Sequence, residues 1–253
     1  MNTVFFIGTA GSGKSLLTAA YTEWLRIARQ DVAVANLDPG VLKLPYAPDI
    51  DIRDYINFEE LMDKHELGPN GALVLASDLI ADQIETIAKD ADDLNPDLLI
   101  IDTPGQMELF AFRASGPFIA TELTKQPKAV LYLFDSLFSL NPLNYVSNLF
   151  LYSAVYNRFL IPQVPVLSKM DLLAPEDMKT IIDWSAKPRT LEVSIEEKLD
   201  GTKRLLTRNM MHAIYQLGLR FPLTPISAKT NEGILNLNAA LERIFTAGDE
   251  YTY

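Results

Sequence analysis

Gly8-Thr9-Ala10-Gly11-Ser12-Gly13-Lys14-Ser15 is the segment of this sequence best equipped for chemistry. It fits the spacing G-x-x-x-x-G-K-[ST]. Glycines at 8, 11 and 13 let successive backbone amides, Ser12 among them, turn inward around an anion. The Lys14 ammonium suits the β- and γ-phosphates of a nucleoside triphosphate, and the Ser15 hydroxyl suits a hard divalent cation, Mg²⁺. A helix opening at Lys14 would add the positive end of its dipole.

Two further acidic positions complete a site of this kind. Asp102-Thr103-Pro104-Gly105 follows the apolar run 98–101. An aspartate at a strand end there holds Mg²⁺ through water, and the Gly105 N–H senses a γ-phosphate. Ser168-Lys169-Met170-Asp171 follows the apolar run 164–167. Its carboxylate suits the N1–H and exocyclic amine of guanine, and the Lys169 stem suits the ring face. Adenine offers the wrong donors and leaves a polar group unpaired. GTPases usually carry Asn or Thr where Ser168 stands. Ser227-Ala228-Lys229, after 223–226, resembles the element whose backbone N–H meets the guanine O6. Together these favour GTP over ATP.

Short strands apolar on both faces, alternating with helices, must hold these loops in place. Strands are expected at 4–7, 32–37, 98–101, 129–134, 164–167 and 223–226. Helices are expected at 14–28, 57–66, 72–93, 142–160, 175–186, 191–217 and 232–246, with a proline-rich loop at 38–49 and a stop at Gly68-Pro69-Asn70-Gly71. That order predicts a three-layer α/β fold, a mostly parallel sheet with helices on both faces. One domain over 1–253 is expected, with helical insertions near 55–93 and 175–217. The helix at 142–160 holds more aromatics than one stripe can use, which fits either burial or a partner-facing surface.

Composition narrows the classes. The chain has 253 residues, 48% of them hydrophobic, enough for one sizeable core. There is no cysteine, which rules out disulfides, thiolate zinc sites and cysteine nucleophiles. His65 and His212 lie too far apart to suggest a metal site. A net charge of −11 disfavours nucleic acid as partner. Lys203, Arg204 and Arg208 read as the wet face of a helix. No uncharged apolar run reaches membrane-spanning length and no secretory pattern opens the chain, so a soluble, cytoplasmic protein is expected.

The chain between Lys14 and Asp102 is far longer than small Ras-like GTPases place there, and it contains Gly68-Pro69-Asn70. With Asn36-Leu37-Asp38-Pro39-Gly40, Tyr46-Ala47-Pro48-Asp49-Ile50-Asp51-Ile52-Arg53-Asp54 and Asp102-Thr103-Pro104-Gly105-Gln106-Met107-Glu108, the whole chain resembles the GPN-loop GTPases, with Gly40 where that family usually has alanine. The absence of a long acidic tail points, within the resemblance, to an archaeal member. The resemblance implies a P-loop GTPase that works as a homodimer, turning GTP into GDP and phosphate with Mg²⁺. It implies that Asn70 reaches the partner subunit's γ-phosphate region, and that Asp38, Gln106 and Glu108 orient the attacking water. Asp38 also joins Ser15 and Asp102 around the cation. Thr9 stands where related dimeric ATPases carry a second lysine, so the transition state must be stabilised otherwise; Arg113 is a surface residue or a reserve cation. The resemblance further implies a role in assembling protein complexes, RNA polymerase subunits among the clients.

Two other readings compete. A P-loop kinase would use an arginine-rich lid, and 188–208 holds Arg189, Arg204 and Arg208; it would leave Ser168 to Asp171 and Ser227 to Lys229 without a task. A scaffold that binds GTP but barely hydrolyses it would not need Gln106 and Glu108.

Overall fold

A computed structural model of the chain describes residues 1–218 and 221–247. The central strand β1 (Asn2–Gly8) leads through the glycine loop into α1 (Lys14–Ile27). β2 (Val32–Asn36), β3 (Ile50–Asp51), α2 (Phe58–His65), α3 (Pro69–Asp82) and α4 (Ile84–Leu94) follow. Next come β4 (Leu98–Asp102), α5 (Met107–Ala111), α6 (Ser115–Glu122), β5 (Lys128–Asp135), α7 (Pro142–Phe159) and β6 (Gln163–Ser168). α8 (Pro175–Ala186), α9 (Pro188–Lys198), α10 (Gly201–Gln216), β7 (Thr224–Pro225) and α11 (Ile234–Ala247) close the fold.

Among the described residues the strands form one parallel sheet ordered β3-β2-β4-β1-β5-β6-β7. In β1, Phe5 and Ile7 face one side and Val4 and Phe6 the other. The first face packs under α3 to α10, the second under α1 and α11. Strands buried on both faces explain the unbroken apolar runs in the sequence. The phosphate loop leaves β1 where the chain turns from β4 on one flank to β5 on the other. In an open α/β sheet this is the crevice where ligands bind. No helix among the described residues is long and apolar enough to cross a membrane.

Several boundaries differ from the sequence reading. The expected helix at 72–93 is two, broken at Gln83. Ala72, Ala76, Ile80, Ile84, Ile87 and Ala91 are all buried, so the apolar stripe runs through the break without changing phase. Gly68-Pro69-Asn70 starts α3 and does not merely stop α2. Gly68 is the N-cap, and Pro69 takes a position where its missing N–H costs nothing. The helix expected at 191–217 breaks at Leu199 and Asp200, with Gly201 at φ +54. α5, α6 and the two-residue β3 were not expected. α6 packs so tightly on α5 that a Cβ on Gly116 would lie 1.8 Å from the Phe110 carbonyl oxygen. α7 settles the question of its aromatics toward burial. Tyr145, Leu149 and Tyr152 are buried, and Leu143, Phe150 and Phe159 pack against the same core.

Candidate active site

Four loops meet at the carboxyl ends of β1, β4, β6 and β7. The glycine loop is built for close approach, with Gly11 at φ +75 and Gly13 at φ +95, backbone that side chains rarely tolerate. Lys14 is 5% exposed. Its ammonium donates to the carbonyls of Gly8 (2.8 Å), Thr9 (3.1 Å) and Gly105 (3.3 Å). Burial lowers its pKa, opposed by the charges of Asp102, Asp38 and Glu108. One cation is thus surrounded by three carboxylates and by backbone from two motifs.

Asp102 ends β4, in register with Phe6 of β1 and Asn36 of β2. Its Oδ2 accepts from the Tyr46 hydroxyl at 2.8 Å. Its Oδ1 is buried without a hydrogen bond of ordinary geometry. Burial pushes the carboxyl up to about 6, against the pull of the Ser15 and Tyr46 hydroxyls and the Lys14 ammonium. Tyr46 is itself raised by burial and by the Asp102 charge. An orphaned carboxylate oxygen beside a serine hydroxyl is a donor set that suits a hard cation, so Ser15 and Asp102 fit Mg²⁺. No three acidic or histidine side chains among the described residues form a ready-made cage; phosphate and water would complete the shell.

Asp38 has a different station. Its Oδ1 accepts from the Gly40 amide (3.0 Å) and its Oδ2 from the Gly105 amide (2.9 Å). The glycine N–H expected to sense a γ-phosphate is therefore held by Asp38. Asn36 fixes this turn, accepting from the Asp38 amide at 3.0 Å and donating to Asp51, which Arg53 clamps in turn. Gln106 is the N-cap residue of α5 and Glu108 lies in its first turn, exposed, next to the site. Asn70 is exposed in the first turn of α3, and no hydrogen bond among the described residues ties it to the phosphate loop. One turn on, Leu73 fills the space an alanine would need at position 40, where a Cβ would lie 2.7 Å from its Cδ2. Arg113 forks onto Asp78 of α3 at 2.6 and 3.1 Å.

The base-reading segments form one cleft with the phosphate loop. It measures about 230 Å³ and is lined by Gly13, Leu16, Lys169, Asp171, Ala228 and Lys229, among others. Ser168, which departs from the usual residue, ties the two loops directly: its buried hydroxyl donates to the carbonyls of Ser12 (2.7 Å) and Phe134 (3.1 Å). Lys169 reaches across to the Gly11 carbonyl (2.5 Å) and pairs with Asp135 (2.6 Å). Ser227 is buried, and its hydroxyl caps the turn by accepting from the amides of Lys229 and Thr230. Removing the Ser168 hydroxyl leaves buried carbonyls short of a donor. Ser168→Ala should therefore weaken GDP binding roughly tenfold; titration calorimetry giving wild-type affinity would show that the tie is dispensable.

Sequence reasoning missed Tyr46, Asn36 and Asp135 as parts of this site. Asp135 had a signal, an aspartate ending the apolar run of β5. Tyr46 opened one of the family-like segments, but nothing in the sequence paired its hydroxyl with Asp102.

Residues 6–247 match the model of a family described as a conserved hypothetical ATP binding protein. The chain is 32% identical to the GPN-loop GTPase PAB0955 of Pyrococcus abyssi, over 97% of this chain and 98% of that protein. It is 27% identical to GPN-loop GTPase 1 of Saccharomyces cerevisiae, over 99% of this chain and 68% of the yeast protein. The crystal structure of PAB0955, a GTPase in apo form, superimposes with a TM-score of 0.85 at 31% identity, covering 96% of this chain and 97% of that one.

Proposed function

Because the chain belongs to the GPN-loop GTPases, we propose that it hydrolyses GTP to GDP and phosphate with Mg²⁺, working as a homodimer in the cytoplasm. The observation that carries this reading is the joining of the phosphate loop to the Asp171 loop through Ser168 and Lys169. That tie sets the phosphate loop beside the cleft that Asp171, Ala228 and Lys229 line, as a nucleotide with its phosphates in the loop and its base in the cleft would need.

The step is an in-line displacement. A water oxygen bonds to the γ-phosphorus, the bond to the β–γ bridging oxygen breaks, GDP leaves, and the water's protons end on phosphate and solvent. Phosphoryl transfer is chiefly positioning and charge stabilisation. The glycine-loop amides and Lys14 hold the β- and γ-phosphates. Ser15, Asp102 and Asp38 would hold Mg²⁺, which would supply charge neutralisation for the phosphates. Asp38, Gln106 and Glu108 orient the water. For Asp38 to do so it must release the Gly105 amide, which then meets the γ-phosphate. Asp171 and the turn Ser227-Ala228-Lys229 read the base, and Lys169 flanks it.

Asn70 supports the dimeric reading because it is exposed on α3 and has no tie to its own phosphate loop. A partner subunit's site is where it would act. Asn70→Ala should lower kcat on the order of 100-fold, the worth of one donor aimed at transition-state charge, with GTP affinity unchanged. Mixing Asn70→Ala with Lys14→Ala subunits should restore one composite site per dimer. No recovery in phosphate-release assays would place Asn70 in its own subunit's site instead. Clients in complex assembly, RNA polymerase subunits among them, follow from the family likeness alone. The kinase alternative is tested by the same assay: GTP turnover without any acceptor rejects it. Of the arginines such a lid would use, Arg204 and Arg208 both pair with Glu196 at the surface.

A further inference from the structure

The loop 38–49 places a hydroxyl against the buried end of β4. Tyr46 packs its ring at the edge of the core beneath α1 and donates to Asp102 Oδ2 at 2.8 Å. The loop end is pinned as well, for Asp49 accepts from the Val34 amide at 2.8 Å. The Asp102 backbone is fixed by its two neighbouring strands and by the Leu37 amide, which donates to its carbonyl at 2.9 Å. Rotation of the carboxylate is the freedom left, and the Tyr46 hydroxyl removes it. The other oxygen, Oδ1, is buried with no hydrogen bond of ordinary geometry and has the Ser15 hydroxyl beside it.

We propose that Tyr46 is a positioning residue for the divalent cation: it occupies one oxygen of Asp102 and so presents the other to the metal's ligand shell. The proposal rests on the Mg²⁺-dependent reading above and goes beyond it, adding a residue from outside the P-loop and the aspartate motif. A charge-assisted hydrogen bond that pre-orients a ligand strengthens the site by sparing reorganisation on binding.

Tyr46→Phe keeps the ring and deletes only the donor. The test follows release of a fluorescent GDP from wild type and variant across a Mg²⁺ titration, with Mn²⁺ binding to the GDP complex read by electron paramagnetic resonance. The variant should need about tenfold more of either cation, while GDP affinity in EDTA matches wild type and the circular dichroism spectrum shows an intact fold. Identical cation titrations would overturn the proposal. So would an equal loss of GDP affinity with and without Mg²⁺, which is what a merely loop-shaping tyrosine would give. A wild-type protein that ignores Mg²⁺ would bring down the cation reading itself, an outcome distinct from a variant that simply equals a Mg²⁺-responsive wild type.

Discussion

Lys14→Ala should remove GTP binding almost entirely, a fall of at least about 100-fold. The ammonium is buried and donates to three carbonyls of the phosphate loop and its neighbour Gly105. A triphosphate in the loop would take over part of that donor capacity. Two charge-assisted bonds at about 1.5–3 kcal/mol each correspond to a factor between roughly 10² and 10⁴. A second loss has the same sign. Asp102, Asp38 and Glu108 all act on this one cation, and without it they face the incoming phosphates uncompensated. Lys14→Arg should not rescue binding, because a planar fork does not replace a compact point charge in a closed loop. Calorimetry with GTP and Mg²⁺, on variants whose circular dichroism matches wild type, decides it. Nanomolar affinity retained by Lys14→Ala would refute the assignment of the phosphate loop.

Much of the site was legible because its parts are local. Gly8 to Ser15, Asp102 to Gly105 and Ser168 to Asp171 each follow an apolar run that had to be a buried parallel strand, and each then lies at a carboxyl end of the sheet. What stayed hidden depends on side chains meeting across long stretches of chain. Asp38 on the Gly105 amide and Tyr46 on Asp102 join residues that no periodicity links. Ser168 looked like a weakened match, yet its hydroxyl ties the base loop to the Ser12 carbonyl. The break at Gln83 was invisible for another reason: the buried stripe from Ala72 to Ala91 keeps its phase across the break. The break at Asp200 did leave a cue, the breaker pair Asp200-Gly201, which the apolar spacing of Leu191, Ile195 and Leu199 outweighed.

Asp171→Asn should exchange the base preference, weakening GTP on the order of 100-fold and admitting xanthosine triphosphate. The Asp171 carboxylate lines the cleft, and no hydrogen bond among the described residues engages it. It is therefore a free double acceptor. Guanine offers it two donors, N1–H and the exocyclic amine. An amide there offers one acceptor and one N–H₂ donor. The donor opposes guanine's amine and suits the carbonyl that xanthine carries in its place, so one substitution changes the sign of one contact. Adenine presents an acceptor at N1 and nothing at C2, which leaves the wild-type carboxylate unpaired against a lone pair. A site built to hydrogen-bond its substrate rejects an analogue lacking those donors by large factors, about 10⁴ in favourable cases. ATP should accordingly compete poorly, although the matching family model is described as ATP binding. Competition of GTP, ATP and xanthosine triphosphate for a fluorescent GDP, in wild type and Asp171→Asn, separates these expectations. An unchanged order of affinities in the variant would mean that Asp171 does not read the base. The cleft would then owe any guanine preference to the backbone of Ala228 and Lys229, leaving the Ser168 tie to hold a loop with no part in recognition.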